Sequence, residues 1–268
     1  MLPQVVDRVM QKLSIELSKT HLSVESIYLY GSVALGDYKD GSSDIDFLVL
    51  LKEAPQASDI DAISAAHQEV DQAYPHLEIM GTYLHLEDVG KPTHEQSSIV
   101  TYFSKQVHAD GKGADMNPIT WWILKHHGVR VYGVEQSFDY EVDEKVLVDY
   151  VLHNMNSYWV GWIERLESQL ANLHLIDQES VTQQLDETVE WCVLGMLRQL
   201  YTVKEKGVKS KTQAGTYGLS IMPKQWHGLI EEAIHIKRQE PERNYISNEK
   251  RLTDLIELLR YIHQVATP

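Results

Sequence analysis

Two aspartates, Asp44 and Asp46, open a hydrophobic run that ends at Leu51. Alternate side chains of a strand point to the same face, so both carboxylates should lie on one face, within roughly 7 Å of each other. Like charges this close are unfavourable without a counter-ion. A hard divalent cation such as Mg²⁺ suits carboxylate oxygens, and substrate phosphates usually complete its coordination. The alternative is a solvated turn in which Ser43 and Asp44 only cap the start of the strand.

A glycine and a serine, Gly31 and Ser32, end the preceding run of strand-forming residues. Glycine allows a ligand close to the backbone, and the N–H groups of such a turn, with the Ser32 hydroxyl, can hold phosphate oxygens. The segment between them and the aspartates is rich in turn residues and ends at Ser43, which we include among the candidate phosphate-binding residues. The sequence therefore predicts phosphate donors beside metal-binding carboxylates, as a nucleoside triphosphate with Mg²⁺ requires.

The elements that position these residues are of mixed type in the first half of the chain. Hydrophobic periodicity and turn residues predict helices over 3–18, 58–73 and 117–128, and strands over 26–30, 44–51, 77–84 and 129–132. Asn117-Pro118 is typical of a helix start.

The second half has a different character, because only helical periodicity is found from Asp143 onward. We expect helices over 146–170, 186–206, 224–237 and 248–265. The predicted fold class is α+β, with a mixed sheet and flanking helices in an N-terminal domain (1–140) and an all-α helical bundle in a C-terminal domain (141–268).

Composition narrows the function classes. The formal net charge of −15 disfavours nucleic acid and anionic membranes as partners and suits a cationic small molecule. The single cysteine, Cys192, lies among apolar residues and is expected in the core. The N-terminus is not typical of a signal peptide, and the expected location is the cytoplasm. No zinc-binding spacing accompanies the thirteen histidines.

The motif Gly31-Ser32, eleven residues, then Asp44-x-Asp46 resembles the signature of the nucleotidyltransferase superfamily that includes DNA polymerase β. The resemblance implies that the serine contacts the triphosphate and that both aspartates bind metal. It also implies in-line attack of an acceptor hydroxyl on the α-phosphate, with release of pyrophosphate.

The same resemblance implies a third acidic residue on a neighbouring strand. Glu78, at the start of the strand predicted over 77–84, fits this position. It would act as the general base or complete a metal site. Glu69 and Asp71 are alternatives, although both fall in a predicted helix.

The segment 198–219 resembles the C-terminal domain of the streptomycin/spectinomycin-type aminoglycoside adenylyltransferases. Arg198 and Lys211 match positions that hold ATP phosphates in that family, and Lys209 remains an alternative to Lys211. The spacing of Glu187, Trp191 and Arg198 also places the arginine on one helical stripe beside the apolar face. A salt bridge from Arg198 to a glutamate of the same helix is the structural alternative.

For the acceptor, carboxylates and flat rings are the groups that bind aminoglycosides. Glu187 and Trp191 are the candidates on this helix; Trp121, Trp122, Trp159 and Trp162 are further ones. The chain has Thr188 where the streptomycin-type enzymes have an aspartate.

These observations predict a Mg²⁺-dependent enzyme that transfers AMP from ATP to a hydroxyl of an aminoglycoside or aminocyclitol. The alternatives are transfer to a different small-molecule or protein hydroxyl, and a nucleotide-binding regulator without turnover. We expect a monomer or weak dimer.

Overall fold

The computed structural model describes residues 2–172, 178–240 and 242–267. The chain divides into two compact units, Met1–Val142 and Asp143–Pro268. The first combines a sheet with helices, whereas the described elements of the second are helices. This confirms the predicted α+β class.

The first unit is built on one six-stranded mixed sheet. Its strands are β1 (Val24–Leu29), β2 (Ile45–Leu51), β3 (Ile79–His85), β4 (Val100–Phe103), β5 (Gln106–His108) and β6 (Val129–Gly133). They lie in the order β5-β4-β3-β2-β1-β6. Only the central pair, β2 and β3, is parallel; the other neighbours are antiparallel.

Alternation along β2 separates the core from the candidate site. Ile45, Phe47 and Val49 are fully buried in a core with residues of α1 (Gln4–Ser18) and α3 (Ile60–Ala73). Asp46 has the opposite parity and therefore points to the other face. The first unit also contains α2 (Gly31–Ala34) and α4 (Pro118–His127), which contact each other.

Two strands of this sheet were not predicted. β4 and β5 form a hairpin whose two-residue turn, Ser104-Lys105, has positive φ at both residues (51° and 57°). Such turns usually carry Asn-Gly or Asp-Gly, so Ser-Lys gives no turn signal in the sequence. Similarly, Gly31-Ser32 begins a single helical turn where a simple turn was expected.

The second unit contains seven helices within its described residues. They are α5 (Glu144–Asn154), α6 (Val160–Ala171), α7 (Gln178–Val189), α8 (Gly195–Glu205), α9 (Lys211–Ile221), α10 (His227–Arg238) and α11 (Asn248–Ala266). Periodicity alone did not indicate α9, because its buried face uses glycine: a Cβ on Gly215 or Gly218 would lie 2.7 Å from a side chain of a neighbouring helix.

Two predicted long helices are each interrupted by a π-helical turn. Met155–Trp159 joins α5 to α6, and Glu190–Leu194 joins α7 to α8. The two turns lie side by side: Trp191 Nε1 donates to Tyr158 Oη (3.1 Å), and a Cβ on Gly195 would meet the Trp159 ring at 2.4 Å. A π turn rotates the following residues out of the 3.6-residue phase, which a periodicity argument does not anticipate.

Among the described residues, the helices are too short or too polar for any of them to span a bilayer.

Candidate active site

The Gly31-Ser32 turn lies directly against the Asp46 carboxylate. The Tyr30 N–H donates to the Asp46 carbonyl oxygen (3.1 Å), which fixes the end of β1 beside the start of β2. Gly31 has φ +58°, and a Cβ there would lie 1.8 Å from Asp46 Oδ2. Only glycine permits both this conformation and this approach.

Several carboxylates gather around one buried phenol at this edge of the sheet. Tyr30 is 2 % exposed. Burial, and then the charges of Asp46, Asp115 and Asp44, raise its pKa well above the ordinary value. The structure therefore brings Asp44 and Asp46 together with Asp115, which the sequence analysis missed.

Asp115 carried no sequence signal because it lies in the irregular segment before α4. Its carboxylate accepts hydrogen bonds from Asn117 Nδ2 (2.5 Å) and Thr120 Oγ1 (3.4 Å). Asn117 is itself the N-cap of α4, accepting from Ile119 N at 2.9 Å, as predicted. Asp115 lies just before α4, and α4 contacts α2. This contact positions Asp115 near the aspartates of β2.

The two serines differ in their environment. Ser32 Oγ is buried and has no hydrogen-bond partner among the described residues. Ser43 Oγ accepts from Lys39 N (3.0 Å) and so closes a turn before β2. An unsatisfied buried hydroxyl is unfavourable unless a ligand completes it. Ser32 therefore fits a ligand contact better than Ser43 does.

Glu78 lies at the same end of the sheet as Asp44. Ile45 N donates to the Glu78 carbonyl oxygen (3.0 Å), and Ile45 pairs with Ile79 in the parallel register. Glu78 therefore lies immediately before β3, next to Asp44. Its side chain is 62 % exposed and forms an ion pair with Lys105 at 3.8 Å.

The alternatives to Glu78 lie on α3, as expected, and have other partners. Glu69 forms an ion pair with Lys12 at 3.2 Å. Asp71 accepts a hydrogen bond from Tyr102 Oη at 2.5 Å. Both carboxylates are thus committed to contacts with α1 or β4.

The donor set at this edge suits Mg²⁺. Asp44 and Asp46 supply hard carboxylate oxygens, and a Mg²⁺ ion commonly uses one or two protein carboxylates together with phosphates. No group of three or more potential metal ligands is preassembled within the described residues. The two aspartates fit an ion whose remaining ligands come from the nucleotide.

In the second unit, Lys211 is the centre of a charged cluster. It is the first residue of α9, and its ammonium contacts Glu190 Oε1 at 2.9 Å and the Trp191 ring at 4.5 Å. Burial lowers the pKa of Lys211; the charge of Glu190 opposes this effect, while Lys237 and Arg198 add to it. The cluster therefore includes Arg198 as well as Lys211.

Lys209 is placed differently, with its ammonium 5.8 Å from the centre of the Tyr201 ring. The electrostatic effect of Arg198 on Lys211 thus brings two of the predicted phosphate-binding residues into the same neighbourhood. Sequence reasoning missed Glu190 as a partner of Lys211, and also Lys237, which lies on α10 and is 6 % exposed.

The candidate residues for acceptor binding differ in how exposed their side chains are. Trp191 is 43 % exposed, and Glu187 is exposed. Trp121 and Trp159, in contrast, are buried in the cores of their units. The π turn interrupts the predicted helical stripe, and Leu194, which lies between Trp191 and Arg198 in the sequence, is fully buried.

Comparisons with known proteins agree with this division. Residues 10–105 match the nucleotidyltransferase domain family, and residues 167–261 match the aminoglycoside adenylyltransferase C-terminal domain family. No curated protein sequence matches the chain significantly.

Solved structures provide a comparison of folds. The spectinomycin adenyltransferase AAD(9) from Enterococcus faecialis, with ATP and spectinomycin, is 15% identical with a TM-score of 0.60, over 95% of this chain and 98% of that one. The STING-associated CdnE c-di-GMP synthase from Capnocytophaga granulosa is 13% identical over 98% of this chain and 82% of that one. Its TM-score of 0.27 supports no inference about the fold.

The AAD(9) comparison shows a common fold along nearly the whole chain. The two family matches fall one in each compact unit, and the second is specific to one kind of nucleotidyltransferase. The chain therefore belongs to the aminoglycoside adenylyltransferase family of nucleotidyltransferases.

Proposed function

We propose that this enzyme transfers AMP from ATP to a hydroxyl of a cationic aminoglycoside or aminocyclitol and releases pyrophosphate. The observation that carries the proposal is the packing of the Gly31-Ser32 turn against Asp46, with the buried Ser32 hydroxyl lacking a protein partner. This packing supports the proposal that a phosphate donor lies next to a metal-binding carboxylate. The presence of ATP and spectinomycin in the AAD(9) structure supports the choice of donor and of acceptor class.

Different residues of the first unit would bind the metal ion and the phosphates of the nucleotide. Asp44 and Asp46 would hold Mg²⁺, which supplies Lewis-acid stabilisation of the triphosphate charge when bound. Gly31 keeps the backbone close to Asp46, and the Ser32 hydroxyl donates to a phosphate oxygen. Ser43 supports the turn that positions Asp44.

Glu78 is the proposed general base. Its position beside Asp44 at the start of β3 supports this role, and its exposed carboxylate is accessible to an acceptor. The acceptor oxygen forms a bond to the α-phosphorus while the bond to the pyrophosphate oxygen breaks. The hydroxyl proton passes to Glu78 and then to solvent.

The second unit would contribute cations that bind phosphate and exposed side chains that contact the acceptor. Arg198 and Lys211 would bind phosphate oxygens, since both belong to one cationic cluster. Trp191 and Glu187 are the proposed acceptor contacts, because both are exposed on the same helical segment. A flat ring and a carboxylate suit a cationic sugar or cyclitol.

Mass spectrometry of complete reactions tests this function. The enzyme, ATP and Mg²⁺ are incubated with a panel that includes streptomycin, spectinomycin and other aminoglycosides. One compound should gain the mass of one AMP group, with an equal amount of pyrophosphate released. Omission of Mg²⁺ and the Glu78→Gln variant are the controls.

Absence of a mass gain on every compound, despite ATP binding, would contradict the proposed acceptor class. Near-full turnover by Glu78→Gln would contradict the assignment of the base.

A further inference from the structure

The turn between β4 and β5 holds a lysine in an uncommon backbone conformation. Ser104 and Lys105 have φ values of 51° and 57°, in the left-handed region that glycine and asparagine favour. This conformation is unfavourable for a residue with a side chain, and residues held in it often lie at functional sites. A lysine at this position therefore needs contacts that offset the strain.

Two contacts direct the Lys105 side chain from the turn to the start of β3. Its ammonium donates a hydrogen bond to the Pro75 carbonyl oxygen (2.7 Å), in the segment that leads from α3 to β3. The same ammonium lies 3.8 Å from Glu78 Oε1. The carbonyl contact thus keeps the cation beside the carboxylate that we propose as the general base.

The separation of the pair suits a carboxylate that must still react. A distance of 3.8 Å allows attraction but is too long for a hydrogen bond, so the lone pairs of Glu78 remain available for a proton. An exposed ion pair contributes little to stability. It can, however, restrict a glutamate side chain that is 62 % exposed and otherwise samples several rotamers.

The other charges around Glu78 do not supply this attraction. Asp44 lies next to Glu78 at the start of β2. On the other side, the charges of Asp71 and Glu78 both act on the Tyr102 phenol, which donates to Asp71. These carboxylates repel that of Glu78, whereas Lys105 attracts it.

We propose that Lys105 is a positioning residue for AMP transfer: from the β4–β5 turn, its ammonium holds the Glu78 carboxylate in the orientation that receives the acceptor's proton. This inference rests on the proposed function of Glu78 as the general base. Lys105 acts through Glu78 and takes no part in the proton transfer itself.

Steady-state kinetics of Lys105→Met test this role, with ATP, Mg²⁺ and the compound that gains AMP in the acceptor panel. The variant should lower kcat roughly tenfold, because misplacement of a reacting group by about 1 Å can cost on the order of 100-fold. The KM for ATP should not change, since the contact matters for the chemical step. Lys52→Met is the matched control: it removes the Lys52–Glu25 ion pair, at the opposite end of β2, and should retain full turnover.

Chemical rescue distinguishes the charge of Lys105 from its bulk. The single cysteine, Cys192, is buried, so alkylating reagents should modify only the introduced thiol of Lys105→Cys. Alkylation with 2-bromoethylamine rebuilds an ammonium at the chain length of lysine and should restore most of the turnover. Alkylation with 1-bromopropane adds an uncharged group of the same length and should not.

Two further variants separate positioning from a structural role. Lys105→Gly removes the strain of the turn as well as the ammonium. Its thermal midpoint should equal or exceed that of Lys105→Met, with an equally low kcat. In the Glu78→Gln background, Lys105→Met should have no further effect on residual turnover, because Lys105 acts through Glu78.

Each result decides for or against the role. Wild-type kcat in Lys105→Met, no rescue by 2-bromoethylamine, equal rescue by 1-bromopropane, or an equal loss in the Glu78→Gln background would overturn the role of Lys105 alone. Near-full turnover by Glu78→Gln would overturn the base assignment and this inference together, while AMP transfer by the wild type would still stand. If no compound gained AMP, the proposed function would fail and this role with it.

Discussion

At the scale of single residues, the proposed function depends on a few carboxylates that the fold holds close together. Asp44, Asp46 and Asp115 all act on the buried Tyr30 phenol. Such a grouping is unfavourable to stability without a cation. The same residues that would serve catalysis are therefore expected to be slightly costly to the metal-free protein.

Substitution of Asp46 by asparagine should separate these two effects. Asp46→Asn should reduce AMP transfer roughly 100-fold or more, because a charged ligand for Mg²⁺ is lost. The thermal midpoint of the metal-free variant should equal or exceed that of the wild type, because repulsion is reduced. Steady-state assays and calorimetric melts check both.

The control is Asp61→Asn, which removes an exposed carboxylate from the first turn of α3. It should retain full activity and lose a few tenths to about 1 kcal/mol of stability. A clearly lower midpoint for metal-free Asp46→Asn would argue against repulsion at this site.

At the scale of elements, the approach of β1, α2 and β2 depends on one glycine. Gly31→Ala introduces a Cβ 1.8 Å from Asp46 Oδ2 at a positive φ. We expect a loss of about 2–4 kcal/mol in the free energy of unfolding, together with reduced activity from displacement of Asp46. Urea unfolding and the AMP-transfer assay measure these effects.

Gly36→Ala provides a matched control. Gly36 also has a positive φ (+69°), but a Cβ there would have nothing within 4 Å. This variant should lose only about 1 kcal/mol, from backbone strain. Equal losses for the two variants would mean that the contact with Asp46 contributes nothing.

The packing of α3 on the sheet predicts a pH dependence of stability. His67, on α3, is 1 % exposed, contacts Tyr83 Oη at 2.9 Å and stacks on the Tyr102 ring. Burial lowers its pKa from 6.5 to about 3. The native state therefore keeps His67 neutral, while the unfolded chain binds a proton below about pH 6.5.

Stability from this group is complete above pH 6.5 and is lost as the pH falls towards 3, by up to about 1.4 kcal/mol per pH unit. His67→Gln should be less stable at pH 7 but show a flatter profile between pH 6.5 and 4. Urea unfolding at each pH measures this, with the exposed His94→Gln as control. An unchanged slope in His67→Gln would contradict the assignment.

At the scale of the whole molecule, the formal net charge of −15 acts on every charged ligand. This charge attracts a cationic acceptor at long range. Salt screens the attraction, because the Debye length is only about 10 Å at 0.1 M ionic strength. Between 50 and 500 mM KCl, the KM for a cationic acceptor should rise several-fold while kcat changes little. Initial rates at saturating ATP and fixed Mg²⁺ test this, and a salt-independent KM would contradict it.

Much of the candidate site was predictable because its signals are local in the sequence. The Gly31-Ser32 turn, the Asp44-x-Asp46 alternation and the N-cap at Asn117 follow from backbone conformations that a few neighbouring residues determine. The helical periodicity of the second half likewise indicated most of its helices. The hairpin of β4 and β5 was not predicted, because its turn residues are atypical.

The sequence alone thus determined the two classes of unit and the candidate residues for metal and phosphate binding, since hydrophobic periodicity and turn chemistry depend on near neighbours. Only the tertiary structure decided that Asp115 joins the aspartates, that Gly31 packs on Asp46, and that Glu190 pairs with Lys211. These contacts join residues distant in sequence, or depend on a π turn that shifts the helical phase. Packing between elements determines such contacts, and the spacing of residues along the chain does not predict them.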